Sequence, residues 1–145
     1  MKQKILLIAI TLIGMMSLVA CDDQVVAPTQ VPVVIQTFVQ QTFPGQTITY
    51  AEKDLELFGY KYDVVLADGT QISFDTDNVW DKVKTVTSAV PAALVPAPVA
   101  TYLNANFPAV TIVKLDKERY GYEVELANGL ELKFNKQGAL MEMDD

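Results

Sequence analysis

The sequence predicts an α+β fold of two tandem helix-plus-four-stranded antiparallel sheet repeats, with the helices on one face of the sheet and the other face open. Three observations carry this. The decapeptide Tyr60 to Gly69, YKYDVVLADG, returns sixty positions later as YGYEVELANG from Tyr120 to Gly129, with six of ten residues identical. A stripe of apolar residues at helical spacing precedes each copy. Within each copy apolar and polar side chains alternate with period two, which gives a strand one apolar and one polar face.

The chain opens with Lys2 and Lys4, an apolar run from Ile5 to Ala20, and Leu18-Val19-Ala20-Cys21. A basic start, a short apolar middle and small residues before the cut describe a signal peptide over residues 1–20. The run falls short of the roughly 20 residues a membrane-spanning helix needs, and Asp22 and Asp23 follow it directly. Cys21 is the only cysteine, so it has no disulfide partner within the chain. Leu-Val-Ala-Cys resembles the bacterial lipobox, which makes Cys21 a lipidation site and the membrane a partner through its acyl chains. Acidic residues directly after such a cysteine resemble a surface-export signal, and an outer-membrane location, on the periplasmic or surface side, is expected.

Beyond the signal, nine Lys+Arg face eighteen Asp+Glu, a net charge of −9. No attraction to nucleic acid or to an anionic bilayer follows from that balance. Residues 21–30 are polar and aperiodic and read as a tether to the lipid. Repeat one, residues 31–87, starts at Val31-Pro32, and Val34, Ile35, Phe38, Val39 and Phe43 line one helix face before Pro44-Gly45 ends it. Gln46 to Lys53 is a strand rich in Thr, Ile and Tyr; the decapeptide is the next, and Asp68-Gly69 is a type I′ hairpin signal. Ile72 and Phe74 mark the returning strand, and Val79 to Thr85 the last. Residues 88–94 link to repeat two, residues 95–145. There Val99, Tyr102, Leu103 and Phe107 form the helix stripe, and strands follow at Val110 to Lys117, Tyr120 to Leu126, Leu130 to Phe134 and Ala139 to Met143. The span from Ile48 to Tyr60 exceeds its counterpart from Ile112 to Tyr120 by four residues, which predicts a longer loop around Asp54 to Gly59.

V-P, Phe-Pro, Y-x-Y-[DE]-V-x-L-A-[DN]-G and a Phe before a short turn together resemble the PepSY-like domain family, also described as β-lactamase-inhibitor-like, from about Val31 to Met143. The resemblance implies small secreted or lipid-anchored bacterial proteins of helix-plus-sheet repeats and supplies no catalytic residues. The inhibitor name reflects architecture and does not show that this chain inhibits anything.

No histidine is present, which removes the usual zinc sites, the Ser-His and Cys-His nucleophiles and the commonest general base. No phosphate-binding glycine loop occurs, and no cofactor is expected. Glu123 and Glu125 share the polar face about 7 Å apart, a spacing open to an inverting glycosidase pair, but alternating acids on an open sheet face are more simply solvated. Asp75-Thr76-Asp77-Asn78 resembles the opening of a calcium loop, yet Trp80 stands where that loop needs Gly and Val86 where it needs Glu, so a hairpin turn is the simpler reading and no metal is expected. Trp80 shares a strand phase with Lys82 and Lys84, opposite Val79 and Val83, which places it on the open face as a binding anchor.

The function expected is therefore a non-catalytic, lipid-anchored envelope module that recognises a protein or peptide. Its open face would comprise Lys61, Asp63, Ser73, Trp80, Lys82, Glu123, Glu125, Glu131 and Lys133. The alternatives are a structural or stress-related envelope lipoprotein and, further off, a carboxylate-dependent hydrolase.

Overall fold

The computed structural model describes residues 23–145; the signal sequence, Cys21 and Asp22 lie outside them. Among the described residues are nine strands and two α-helices. The strands are β1 (Asp23–Val25), β2 (Ile48–Glu56), β3 (Gly59–Leu66), β4 (Gln71–Phe74), β5 (Trp80–Lys84), β6 (Ile112–Lys117), β7 (Gly121–Leu126), β8 (Glu131–Asn135) and β9 (Leu140–Asp144). The helices are α1 (Val33–Thr42) and α2 (Ala97–Asn106).

All nine strands form one antiparallel sheet in sequence order, β1 to β9. This corrects the expectation of two tandem helix-plus-four-strand repeats. β5 pairs with β6 through Lys82↔Asp116, Val83↔Leu115 and Lys84↔Lys114, so the last strand of the first half and the first of the second are neighbours. Val83 and Leu115 are both fully buried at that seam. Half the chain alone would carry a thin core and expose two more strand edges; joining the halves removes both problems. The ninth strand comes from the expected tether: Asp23, Gln24 and Val25 pair with Asp54, Lys53 and Glu52.

One face of the sheet holds a single apolar core. Val64, Leu66, Ile72 and Phe74 from the first half join Leu115, Val124, Leu126, Leu132 and Phe134 from the second, all essentially free of solvent. Ile35 and Val39 of α1 and Val99 and Leu103 of α2 cap them, as the helical stripes predict. Edge-to-face ring contacts repeat on the two sides: Phe38 of α1 stands on Phe74, and Tyr102 of α2 on Phe134, each with centroids 5.5 Å apart. Prolines 32 and 96 are the residues immediately before the helices, where no amide is needed.

The hairpin turns differ from the type I′ expectation. Leu66 accepts a bond from the Gly69 amide and donates to Thr70, and Leu126, Gly129 and Leu130 repeat this arrangement. Only Gly69 and Gly129 adopt positive φ, at 87° and 89°, while Asp68 and Asn128 do not. These are three-residue loops ending in a left-handed glycine, and the Asp68 and Asn128 side chains accept the amides of Thr70 and Leu130 instead. Asp75 to Val79 makes the same turn with Asn78, φ 61°, at the left-handed position.

The four extra residues of the first half form no loop. They lengthen β2 and β3 beyond β4, whose last pairing with β3 is Tyr62↔Phe74. Leu55↔Tyr60 and Glu56↔Gly59 continue the hairpin past it to a tip at Leu57-Phe58. In the second half the corresponding turn is short and β7 begins at Gly121, whose φ is 153°. A Cβ there would lie 2.1 Å from the Phe134 carbonyl oxygen, so β7 and β8 approach too closely for any side chain.

Two outcomes follow for urea unfolding. Phe134→Ala, which empties the space beneath Tyr102, lowers stability by about 3–5 kcal/mol. Gly121→Ala, which forces β7 from β8, lowers it by more than the roughly 1 kcal/mol of an average point substitution.

Candidate functional site

The face opposite the helices carries polar side chains in register across the sheet. Glu52, Asp63, Ser73, Lys82, Asp116, Glu123, Lys133 and Glu142 stand directly opposite one another on β2 to β9 in turn. Period-two alternation puts them all on one side, because their strand neighbours Val64, Ile72, Val83, Leu115, Val124 and Leu132 are buried on the other.

At the middle of this row lies a residue that sequence reasoning did not single out. Asp116, only 6% exposed, is an acid on an otherwise solvated face. Lys114 reaches its Oδ2 at 3.0 Å and Glu123 Oε1 at 3.1 Å, and Lys82 stands 3.9 Å from Oδ1. Asp116 Oδ1 has no hydrogen bond. Burial by itself lowers the Lys114 pKa, but hydrogen bonds to Asp116 and Glu123 and their charges outweigh it, so the ammonium is held above the ordinary lysine value. The signal for this cluster was available: a β6–β7 hairpin sets Lys114 and Asp116 opposite Glu125 and Glu123.

The other expected residues fall as follows. Asp63 and Ser73 are hydrogen-bonded to each other across β3 and β4. Lys61 pairs with Glu56 at 3.1 Å on the protruding hairpin. Lys133 pairs with Glu142 at 2.9 Å, raising the lysine pKa and lowering the glutamate's, chiefly through that bond. Glu125 and Glu131 face each other on β7 and β8, away from this cluster toward the Asn128-Gly129 turn. Glu123 is held by Lys114 and by the Tyr120 hydroxyl at 3.3 Å, so it is not poised as a free acid or base beside Glu125.

Trp80 does not belong to the open face. β4 and β5 slip register between Ser73 and Phe74: Ser73 pairs with Lys82 but Phe74 with Trp80, leaving Asp81 as the extra residue of a bulge. The bulge reverses the phase, so Trp80 joins the covered side, half-buried against the core, with the Lys117 ammonium 3.6 Å from its ring centroid.

Asp81, displaced by the same bulge, takes the place on the open side that the tryptophan was expected to hold. With Lys61, Asp63, Ser73, Phe74, Lys82, Asp116, Lys117 and Glu118 it lines a shallow depression of about 330 Å³. Burial pushes the Asp81 carboxyl pKa up, Asp75 adds to the shift, and Lys61 opposes it. The depression thus sets four acids against three lysines, and one buried carboxylate oxygen in its wall lacks a hydrogen bond. Among the described residues no cluster of three or more His, Cys, Asp or Glu has metal-binding geometry.

A family profile described as β-lactamase-inhibitor-like, PepSY-like, matches residues 60–142. A crystal structure from Bacteroides vulgatus, described as a periplasmic protein, is 33% identical with a TM-score of 0.79, covering 87% of this chain and 99% of its own. A second B. vulgatus structure, also described as periplasmic, is 30% identical with a TM-score of 0.79 over 85% of this chain and 99% of its own. A Bacteroides thetaiotaomicron structure, described as a calcium-regulated periplasmic protein, is 29% identical with a TM-score of 0.77, covering 85% of this chain and 97% of its own. No curated protein matches the sequence significantly. The description of all three relatives as periplasmic is consistent with a cell-envelope location.

The Lys114 cluster yields a stability prediction. Lys114→Met leaves Asp116 buried without its closest cation and lowers stability by about 3 kcal/mol at pH 7 in urea unfolding. Because the folded pKa of Lys114 lies above its unfolded value of about 10.4, its contribution is complete below that pH and declines only as pH rises through the folded value. Wild type and Lys114→Met should therefore differ equally from pH 6 to 9 and converge only in stronger alkali.

Proposed function

Because the chain belongs to the PepSY-like, β-lactamase-inhibitor-like family, we propose that it is a non-catalytic, lipid-anchored envelope module that recognises a protein or peptide through the open face of its sheet. The depression around Asp81 carries this reading. A bulge gives up regular strand pairing to hold Asp81 beside Asp63, Asp75 and Asp116, where burial and the neighbouring acids raise its pKa and Lys61 opposes the rise. Acids held together at such a cost favour a partner that brings cationic or amide donors, such as a Lys- or Arg-bearing segment. The rigid sheet beneath supplies the preorganisation that binding needs.

Lipid attachment rests on Leu18-Val19-Ala20-Cys21 and on the periplasmic description of the relatives. Two acyl chains or more would hold the protein far more firmly than one, since each buried methylene contributes about 0.8 kcal/mol. No helix among the described residues is long and apolar enough to cross a membrane.

The experiment compares envelope proteins cross-linked to the wild type with those cross-linked to a charge-swapped variant, Asp81→Lys, which leaves Lys82, Lys114 and Asp116 in place. Loss of a specific partner from the swapped variant, but not from Glu131→Lys at the far end of the face, is expected. An identical partner set for all three proteins rules out the depression as the contact. Cys21→Ser should shift the protein from the membrane fraction to the soluble one.

A further inference from the structure

The protruding β2–β3 hairpin ends in the most exposed large apolar residues described: Leu57 is 86% and Phe58 88% accessible, flanked by Leu55 and Tyr60 at 61% and 40%. Nothing in the fold requires them, since the second half makes the corresponding turn with Glu118, Arg119 and Tyr120 and buries its core equally well. Contiguous apolar side chains at a tip with no internal partner mark a contact surface.

The strand register says what lies beside that tip. β1 runs antiparallel to β2, and its first residue, Asp23, pairs with Asp54. Leu57 is three residues beyond Asp54, about 10 Å along the strand. Cys21 precedes Asp23 by two residues, and two peptide units reach at most about 7 Å in any conformation. The cysteine is therefore tied by covalent geometry to the same end of the sheet as Leu57 and Phe58. Acyl chains on Cys21 would therefore enter the bilayer no more than about 20 Å from the hairpin tip.

We infer that Leu57 and Phe58 are a second membrane contact, seated in the headgroup boundary of the bilayer that receives the Cys21 lipid. The inference rests on the lipid anchor proposed above. Side chains of this kind insert roughly 5–10 Å into the interface without spanning it. Asp23, Asp54 and Glu56 lie near the tip, so the contact is apolar and needs no anionic lipid. A lipid alone is a swivel; a lipid plus a fixed apolar point beside it sets the sheet upright on the membrane.

The test uses the full lipidated protein in phosphatidylcholine vesicles. Lipidation consumes the only native thiol, so Phe58→Cys supplies one site for an environment-sensitive fluorophore, and Ala127→Cys, on an exposed turn at the opposite end, supplies the control. Nitroxide-bearing lipids should quench the label at position 58 about twofold or more and leave that at position 127 unchanged. Unchanged thermal unfolding of both variants verifies the fold. If lipid leaves the position 58 label unquenched while aqueous iodide quenches both labels alike, the inference is overturned. Protection from iodide without quenching by lipid would also overturn it, in favour of a protein or a second copy on the tip. Mass analysis of the N-terminal peptide separates the two levels: an unmodified Cys21 overturns the anchor and this contact together, whereas an acylated Cys21 with a water-exposed tip overturns the contact alone.

Discussion

The pairing of β5 with β6 is the constraint on which the molecule depends. Three residue pairs across this seam turn two short strand runs into one sheet, and Val83 and Leu115 place its apolar side in the middle of the core. The connection between the two strands carries all of α2, so the helix must return over the sheet for the seam to close. Both helices consequently sit on the same face, and the opposite face is left as one uninterrupted polar surface. A core pooled from both halves gives each helix a floor wider than its own half could supply.

The local elements were legible because local physics determines them. Helical spacing of Ile35 and Val39, or of Val99 and Leu103, leaves one burial solution, and alternation in the repeated decapeptide leaves one inward phase. The seam was not legible in the same way. Lys82 and Lys84 on β5, and Lys114 and Asp116 on β6, read equally well as solvent-facing edges or as a central ladder, and only long-range pairing decides between them. Trp80 failed for a different reason. A single extra residue at Asp81 inverts every phase assignment on its near side, and nothing in the local composition announces it. The turns show a third kind of miss: Asp-Gly and Asn-Gly marked the correct places, but loop length rather than residue pair chose the geometry.

The polar face is graded. Toward β8 and β9 its charges are satisfied by simple neighbours, Lys133 with Glu142 and Asp144. Beside the seam the Lys114 ammonium links Asp116 on its own strand, β6, to Glu123 on β7, so side chains as well as backbones join those two strands. At the bulge the balance is mixed: Asp81 lies among Asp63, Asp116, Lys61, Lys82 and Lys117 in the depression, and Asp75 adds to the negative field it feels. The repeated decapeptide diverges on this face, at Lys61/Gly121 and Asp63/Glu123, so its two copies contribute to different parts of the gradient.

An open meander, unlike a closed barrel, ends in two strands with unpaired backbone groups, and here the ends are unequal. β1 offers three residues next to the protruding hairpin, whereas β9 presents five, Leu140 to Asp144, with Met141 and Met143 exposed. Such a strand could template a second copy and grow into a fibre. Glu142, Asp144 and Asp145 oppose that outcome: two β9 strands laid side by side would set acid against acid with only Lys133 nearby to neutralise them. The acids on β9 therefore act as a guard on this edge, disfavouring a tenth strand from a second copy where the backbone alone would accept one.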